Sequence, residues 1–219
     1  MDEEFWKERW QANQIGFHQG QINPYLVAYW SRLGAHPGSR VFVPLCGKSL
    51  DLRWLQSQGH IVIGVEVSPI AVDNFFKEAG VDPTRRQAGS FQRCSHGNID
   101  LWCGNFFNLS KEDLEEVSAV FDRASLIAMP PAMRPDYARH LAGILPPSVP
   151  ILLVTMEYPE GSMQGPPFSV SDAEVSHLFG EHYPIDKLHE EDILEQSPRF
   201  KAKGLKSLLE KAFLLRPIG

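Results

Sequence analysis

The stretch from residue 40 to residue 66 constrains the fold of this chain more than any other. Residues 41–45 are a short apolar run rich in branched side chains, which predicts a strand buried on both faces of a sheet. Residues 48–58 carry apolar side chains at helical spacing and end at a glycine, and a second apolar run at 61–65 stops at Glu66. A strand, a glycine-containing turn, a helix, a strand and a terminal acid within ~30 residues indicate the first βαβ unit of a nucleotide-binding α/β sheet.

The turn and the terminal acid of this unit can hold an adenosyl ligand. Gly47 lets the backbone approach a ligand closely, and the helix predicted just after it directs free N–H groups into the crevice. Glu66 follows Gly47 by 66 − 47 = 19 residues, and a carboxylate there can accept both hydroxyls of a ribose. The dinucleotide fingerprint needs further glycines that this turn lacks, which favours a ligand without a pyrophosphate. An ordinary βαβ unit with a solvated Glu66 is the alternative that this stretch leaves open.

Length and composition set the broad class of protein. A chain of 219 residues can bury one substantial core, so we expect a single domain over residues 1–219. The net charge of −6 argues against a nucleic-acid binder, and no apolar run approaches the ~20 residues that span a bilayer. Three cysteines without a C-x-x-C pair, and an acidic N-terminus without a secretory signal pattern, predict a reduced protein in the cytoplasm.

Apolar runs and breakers locate the remaining elements. Further strands are predicted at 99–103, 117–121 and 151–156. Helices are predicted at 2–12, 24–33, 69–79, 134–145 and 172–180, with Asn23, Ser68 and Ser171 as N-caps. Residues 82–97 carry a proline, three arginines and two glycines, which predicts a loop with weak structure. Residues 183–216 are expected to complete the sheet.

The sequence does not support three other kinds of site: a phosphate loop, a metal site and a hydrolase site. The run from Cys46 to Ser49 resembles the end of a phosphate loop, but that loop needs a glycine at the position of Phe42. The eight histidines are scattered without metal-binding spacing, so we expect no metal. No Gly-x-Ser-x-Gly motif supports a hydrolase.

An aromatic face marks the N-terminal helix. Trp6 and Trp10 are four residues apart, so both rings lie on one side, and Phe17 follows before the first strand. One interpretation is a helix anchored to the protein by its tryptophans. The other is an aromatic lid over a ligand, because aromatic faces attract a cation such as a sulfonium by about 0.5–2 kcal/mol.

Two segments fall beyond the carboxyl ends of strands, where ligands bind in open α/β sheets. Asp122 and Arg123 follow the fourth strand, either as a pair that seals the strand end or as ligand contacts. Residues 158–168 hold three prolines and two glycines in a long loop between a strand and a helix. We expect this loop to form a substrate rim, with Pro166–Phe168 as an apolar wall for a flat ligand.

Four motifs carry a resemblance to a known family: Val41-Phe-Val-Pro-Leu-Cys-Gly-Lys-Ser, Gly64-Val-Glu-Val-Ser, Phe121-Asp-Arg-Ala-Ser-Leu and Gly165-Pro-Pro-Phe. Together they resemble the thiopurine S-methyltransferases, in length especially the bacterial branch, from about Trp6 to the C-terminus. The resemblance implies an α/β, Rossmann-like methyltransferase fold. Its sheet would be doubly wound and mostly parallel, with seven strands and one antiparallel strand near the C-terminus. That strand falls within 204–215, which scores as helix on intrinsic propensity, and we follow the family.

The resemblance also implies the activity and the ligands. The reaction would transfer a methyl group from S-adenosylmethionine to the sulfur of thiopurine-like or other aromatic thiols, or to selenium and tellurium compounds, and release S-adenosylhomocysteine. Residues 1–36 would form a helical lid segment over the cofactor. We expect a monomer whose partners are small-molecule thiol or chalcogen acceptors, and neither nucleic acid nor membrane.

Site residues are assigned from the patterns above together with the family resemblance, which bears on Trp10, Phe17 and Arg123. Cofactor binding is assigned to Trp6, Trp10, Leu45, Gly47, Glu66, Asn98, Ile99 and Arg123. Substrate binding is assigned to Phe17, Pro167 and Arg199. Arg123 is the catalytic candidate, because the family's arginine at this position lies beside both cofactor and substrate.

Two other functions remain open at this stage. A nicotinamide-dependent reductase could use the same βαβ unit, although the missing glycines count against it. A non-catalytic sensor of an adenosyl ligand would need the same cofactor pocket and no acceptor.

Overall fold

In the computed structural model, which describes residues 3–217, a nine-stranded mixed sheet carries helices on both faces. The strands are β1 (Arg40–Val43), β2 (Ile61–Glu66), β3 (Thr84–Ala88), β4 (Phe91–His96), β5 (Ile99–Cys103), β6 (Val117–Arg123), β7 (Ile151–Glu157), β8 (Ile185–Asp192) and β9 (Leu209–Leu215). The α-helices are α1 (Glu3–Gln11), α2 (Pro24–Tyr29), α3 (Asp51–Ser57), α4 (Pro69–Ala79), α5 (Ser125–Ala128), α6 (Arg134–Ile144), α7 (Asp172–Phe179) and α8 (Pro198–Lys201). Short 3₁₀ turns lie at Trp30–Leu33, Phe106–Asn108 and Pro131–Met133.

The strand order is β3-β4-β5-β2-β1-β6-β7-β9-β8. β5, β2, β1, β6 and β7 are parallel, and β9 is antiparallel to both of its neighbours. The chain winds outward from β1 in one direction and then resumes at β6 on the other side. The predicted doubly wound α/β fold is therefore confirmed, and the topology places the ligand crevice at the carboxyl ends of β1 and β6.

The predicted count of seven strands is wrong, because the loop expected at 82–97 is a β-hairpin. β3 and β4 pair antiparallel, and β4 adds to the edge of β5. Most of β3 is exposed, so it lacks the apolar alternation by which a strand is recognised from sequence. The other seven strands form the sheet that the family resemblance implies.

The segment 204–215 forms strand β9 from Leu209 onward, as the family implies and against its helical propensity. It lies between β7 and β8, and the side chains from Ala212 to Leu215 are buried. Tertiary burial of an apolar run between two strands outweighs an intrinsic preference of a few tenths of a kcal/mol per residue.

The first βαβ unit is present with one correction. β1 and β2 pair in parallel from Arg40 opposite Ile61 onward. The helix that connects them, α3, begins at Asp51 and not at residue 48, because Leu45 and Gly47 adopt left-handed backbone angles (φ 45° and 55°). An extended turn, and not a helix end, therefore approaches the carboxyl edge of the sheet.

The core has one layer on each face of the sheet. Phe42 of β1 packs in the layer under α6 and α7, while Val41 and Val43 pack in the layer under α2, α3 and α4. Complete burial of such side chains stabilises the fold by about 1.5–3 kcal/mol each.

Two of the predicted helix caps are present. Asn23 Oδ1 accepts hydrogen bonds from the backbone N–H groups of Tyr25 and Leu26, and Ser171 Oγ accepts one from Glu174. Ser68 occupies the predicted N-cap position of α4, but its hydroxyl is buried and makes no capping hydrogen bond in the described chain. Over residues 3–217, no helix combines the length and apolar character needed to cross a membrane.

Candidate active site

A cavity of about 910 Å³ opens at the carboxyl edge of the parallel strands. Its floor includes the ends of four neighbouring strands, through Val43, Glu66, Arg123 and Met156. Its roof comes from α1 and the segment that follows it. Small-molecule pockets measure about 300–1,000 Å³, so this cavity can hold a cofactor-sized ligand together with a second, smaller molecule.

Glu66 ends β2 and is buried, with 7% of its surface exposed. Its Oε1 accepts a hydrogen bond from the N–H of Ser68 at 2.8 Å, and its Oε2 accepts one from the N–H of Gly47 at 2.9 Å. Burial raises the pKa of Glu66 to about 7, although these backbone donors oppose the shift. The two bonds fix the carboxylate in the cavity wall and leave each oxygen able to accept another hydrogen bond, as two vicinal hydroxyls require.

The turn after β1 forms the wall next to Glu66. Gly47 packs under the indole of Trp10, since a Cβ at this position would lie 3.4 Å from Trp10 Cζ2. Trp10 is 5% exposed, and Leu45 lines the same wall. The result is an apolar slot with a carboxylate at one end, which suits a nucleoside better than a phosphate.

An aromatic cluster closes the roof of the cavity. The ring of Phe17 lies edge-on to Trp6 and Trp10, with centroids 5.5 Å and 5.6 Å apart. Asn105 Nδ2, in the turn after β5, donates a hydrogen bond to Glu3 Oε1 at 2.7 Å and fastens α1 to the sheet edge. The predicted helix over 2–12 is thus observed as Glu3–Gln11, with its first predicted residue outside the described chain.

Arg123 lies at the end of β6 and faces the cavity. Burial lowers the pKa of its guanidinium, and the negative charges of Asp51 and Glu210 counteract this. Within residues 3–217, the guanidinium makes no hydrogen bond or ion pair with another side chain. A half-buried guanidinium with free donors at a cavity wall can bind an anion or a polar acceptor.

Asp122 and Arg123 have different surroundings. This argues against the interpretation that the two side chains form a pair that seals the strand end. It is fully buried and absent from the cavity lining, and it accepts a hydrogen bond from the hydroxyl of Tyr137 at 2.7 Å. Successive strand residues point to opposite faces, so Asp122 fastens α6 to the sheet while Arg123 faces the cavity.

The far wall of the cavity comes from two loops. Pro166 and Pro167 line it, as expected for the long loop after β7, whereas Phe168, expected in the same wall, does not. Tyr158 donates a hydrogen bond to the Pro167 carbonyl at 2.8 Å. Arg199 of α8 also lines the cavity, donates a hydrogen bond to the carbonyl of Gly16 and stacks over Phe200 at 4.7 Å. Helix α8 thus contacts the segment that follows α1.

The structure brings most of the predicted site residues together. The residues that line this one cavity are Trp6, Trp10, Phe17, Leu45, Gly47, Glu66, Arg123, Pro167 and Arg199. Asn98 and Ile99 do not line the cavity. Their assignment to the cofactor site is therefore wrong. Ile99 begins β5, so both residues lie at the amino edge of the parallel strands, opposite the cavity. Asn98 instead accepts a backbone hydrogen bond from Val62 there.

The polar residues of the cavity that sequence reasoning missed include His18, Asn105 and Glu210. Asn105 follows the carboxyl end of β5, where the strand-end rule could have located it. Glu210 stands inside an apolar run, and a charge at such a position is itself a signal of function. In the described part of the chain, no cluster of histidine, cysteine and acidic residues could hold a metal.

Comparisons with known proteins identify the family. The family model described as thiopurine S-methyltransferase matches residues 1–217. A Nitrosospira multiformis protein named thiopurine S-methyltransferase is 51% identical over 215 residues, which cover 98% of this chain and 98% of that one. The chain belongs to the thiopurine S-methyltransferase family. A Methylococcus capsulatus protein of the same name is 49% identical over 217 residues, 99% of this chain and 98% of that one.

Solved structures support the fold. A Burkholderia thailandensis 1,6-didemethyltoxoflavin-N1-methyltransferase with bound S-adenosylhomocysteine aligns with a TM-score of 0.66 at 13% identity, over 99% of this chain and 87% of that one. Magnesium protoporphyrin IX methyltransferase from Synechocystis aligns with a TM-score of 0.65 at 17% identity, over 98% of this chain and all of that one (100%). At such identities the likeness shows the Rossmann-like fold alone.

Membership of the thiopurine S-methyltransferase family makes this protein an enzyme, a methyltransferase that uses S-adenosylmethionine. The predicted family, enzyme class and cofactor are thereby confirmed. The cavity fits this cofactor on its own evidence, because it offers a buried carboxylate for ribose hydroxyls and apolar walls at Trp10 and Leu45.

Proposed function

We propose that this enzyme methylates the sulfur of thiopurine-like or other aromatic thiols in the cytoplasm. The observation that carries the proposal is the free, half-buried guanidinium of Arg123, which lies between the nucleoside slot and an apolar wall. A flat, apolar acceptor that carries a soft, readily ionised sulfur matches this surface.

The cofactor half of the cavity would be formed by Glu66, Gly47, Leu45 and Trp10. Glu66 would accept the two ribose hydroxyls, because both of its oxygens are already oriented by backbone N–H groups. Trp6 and Trp10 would present aromatic faces toward the positive charge of the ligand. S-adenosylmethionine supplies an electrophilic methyl group, so the chain needs no nucleophile of its own.

The acceptor half would be formed by Arg123, Arg199, Pro167 and Phe17. An acceptor thiolate loses its charge as it is methylated, so a tight grip on the sulfur would stabilise the ground state more than the transition state. Arg123 therefore acts best through a neighbouring atom of the acceptor and aligns the sulfur. Alignment alone can supply ~7–11 kcal/mol of a bimolecular barrier.

The segment from α1 through Phe17 would act as a lid. It covers the cavity through the aromatic cluster and through hydrogen bonds that include Asn105 to Glu3 and Arg199 to Gly16. Single hydrogen bonds of this kind can break to open the cavity for ligand exchange, while closure keeps water from the reacting atoms.

Selenium and tellurium compounds are further proposed acceptors. Their chalcogen atoms are softer nucleophiles than sulfur and ionise more readily, so they need no strong base. The apolar wall and the guanidinium of Arg123 would accept them as they accept an aromatic thiol.

The experiment is a panel of acceptors with S-adenosylhomocysteine formation as the readout. Thiophenol and 6-mercaptopurine should give turnover that depends on the acceptor, and selenite-derived selenol should give a methylated volatile product. Calorimetry should show binding of S-adenosylmethionine and S-adenosylhomocysteine but not of NAD. Cofactor binding without turnover on any acceptor would instead indicate a sensor, and NAD binding a reductase.

A further inference from the structure

Glu210 is a cavity carboxylate to which the reaction described above gives no role. It lies near the start of β9, opposite Met156 of β7 and Glu191 of β8. Because β9 runs antiparallel to its neighbours, its first residues lie at the carboxyl edge of the sheet. Glu210 therefore lines the same cavity as Arg123.

The charge of Glu210 is not neutralised by a close ion pair. Arg123 and Glu210 attract each other, yet neither has an oppositely charged group within 4.0 Å in the part of the chain that is described. Burial raises the pKa of Glu210, while Arg123 and the hydroxyl of Tyr25 lower it. The next residue, Lys211, contacts Glu157 and Asp172, so its charge is engaged there.

The hydroxyl of Tyr25 interacts with Glu210, and a ligand that donates a further hydrogen bond would offset the remaining cost of burying this carboxylate. The sulfur of the acceptor cannot do so, since a thiolate and a carboxylate repel each other. An N–H donor can. The carboxylate and the guanidinium of Arg123 thus present one hydrogen-bond acceptor and one donor group to the same cavity, and they form no ion pair with each other within 4.0 Å.

The place of Glu210 in the sheet assigns it to the acceptor half. β9 is three strand positions from β1, by way of β6 and β7. At about 4.8 Å per position, Glu210 is about 14 Å across the sheet from the turn at Gly47. Arg123 on β6 lies between the two, so the carboxylate is on the far side of Arg123 from the nucleoside slot.

We propose that Glu210 selects acceptors that carry a ring N–H beside the sulfur-bearing carbon, the heteroaromatic thiones. This deepens the proposed function and rests on it. The sulfur forms its bond to the methyl carbon as the bond from that carbon to the cofactor sulfonium breaks, with its electron pair left on the cofactor sulfur. The ring N–H proton passes to the Glu210 carboxylate, and its bonding electrons stay on nitrogen as the ring becomes aromatic. Glu210 then releases the proton to water.

Two acceptors of nearly equal size test this proposal. Pyridine-2-thione carries the N–H, whereas thiophenol has a C–H at the same position. In Glu210→Gln, kcat/KM for pyridine-2-thione should fall at least tenfold, while the value for thiophenol stays within twofold. The dissociation constant for S-adenosylhomocysteine should stay within threefold.

Two further variants control the experiment. Glu191→Gln removes the exposed carboxylate opposite Glu210 on β8 and should leave both acceptors unchanged. Glu210→Asp keeps the carboxylate and should retain part of the preference for pyridine-2-thione, even if Glu210→Gln folds poorly.

Each contrary result has a distinct meaning. An equal loss with both acceptors, or an unchanged value for pyridine-2-thione, would overturn the assignment of Glu210. Weaker binding of S-adenosylhomocysteine would also overturn it, because the carboxylate would then contact the cofactor's ammonium group. A wild-type enzyme that methylates neither compound would overturn the proposed function itself.

Discussion

The backbone N–H of Gly47 donates a hydrogen bond to Glu66 Oε2 at 2.9 Å, which joins the turn after β1 to the end of β2. Ser68 donates to the other oxygen of the same carboxylate at 2.8 Å. The group is therefore held in position before any ligand arrives, so cofactor binding loses little conformational entropy there.

Removal of this carboxylate should weaken cofactor binding. Glu66→Ala removes two charge-assisted hydrogen bonds to the ribose, which should cost on the order of 2–4 kcal/mol of binding free energy. Calorimetry with S-adenosylhomocysteine measures this directly. Glu116→Ala is the matched control, because Glu116 is an exposed acid just before β6, at the opposite edge of the sheet. An affinity that stays within threefold in Glu66→Ala would refute the ribose assignment.

Cofactor binding should also depend on pH through Glu66. Its pKa of about 7 means that the ionised form, the better acceptor for two hydroxyls, predominates only above pH 7. Affinity for S-adenosylhomocysteine should therefore be highest near pH 8 and fall by roughly tenfold at pH 6. Glu66→Gln cannot titrate, so its binding should lack this step. Equal pH profiles for the wild type and Glu66→Gln would show that Glu66 is already ionised throughout the range.

Local patterns predicted much of the sheet, since the apolar runs of β1, β2, β5, β6 and β7 are bounded by glycine, proline and polar residues. Residues 84–96 were missed because an exposed edge hairpin buries too little apolar surface to leave a periodic signal. The strand β9 could not be obtained from propensity, because its burial depends on β7 and β8, which are distant in sequence.

The same contrast applies to the candidate site: some of its residues follow from local patterns, and others depend on how the strands are arranged. Glu66 and Arg123 were predictable because each ends an apolar run, where the strand-end rule applies. Asn98 and Ile99 were misplaced because they begin the strand that Cys103 ends. Glu210 was missed because only an antiparallel strand brings its first residues to the carboxyl edge.

The aromatic lid should open and close on a measurable timescale. Amide exchange over residues 3–20 should be fast in the free enzyme and slow when S-adenosylhomocysteine is bound, because closure protects the backbone of this segment. The amides of β1, buried between β2 and β6, provide an internal control and should be protected in both states. Equal protection of residues 3–20 with and without ligand would mean that Trp6 and Trp10 are structural anchors.

Arg123 should act mainly on the acceptor. Arg123→Lys keeps the charge but loses the planar fork of donors, so it cannot hold two atoms of a ring edge at once. We expect a higher KM for the acceptor and a kcat/KM lower by roughly tenfold, about 1.4 kcal/mol, with a smaller change in cofactor affinity. The equivalent change at Arg139, which is exposed on α6, should alter neither parameter. Loss of cofactor binding with intact acceptor kinetics at saturating cofactor would place Arg123 in the cofactor site alone.

The position of the transferred methyl group tests the central claim most directly. S-adenosylmethionine with a trideuterated methyl group is incubated with the enzyme and 6-mercaptopurine, which offers one sulfur and several ring nitrogens to a methyl donor. We expect the trideuteromethyl group on sulfur alone, with one S-adenosylhomocysteine formed for each methylated product. Label on a ring nitrogen, or S-adenosylhomocysteine formed without a labelled product, would contradict the assignment of this site to sulfur methylation.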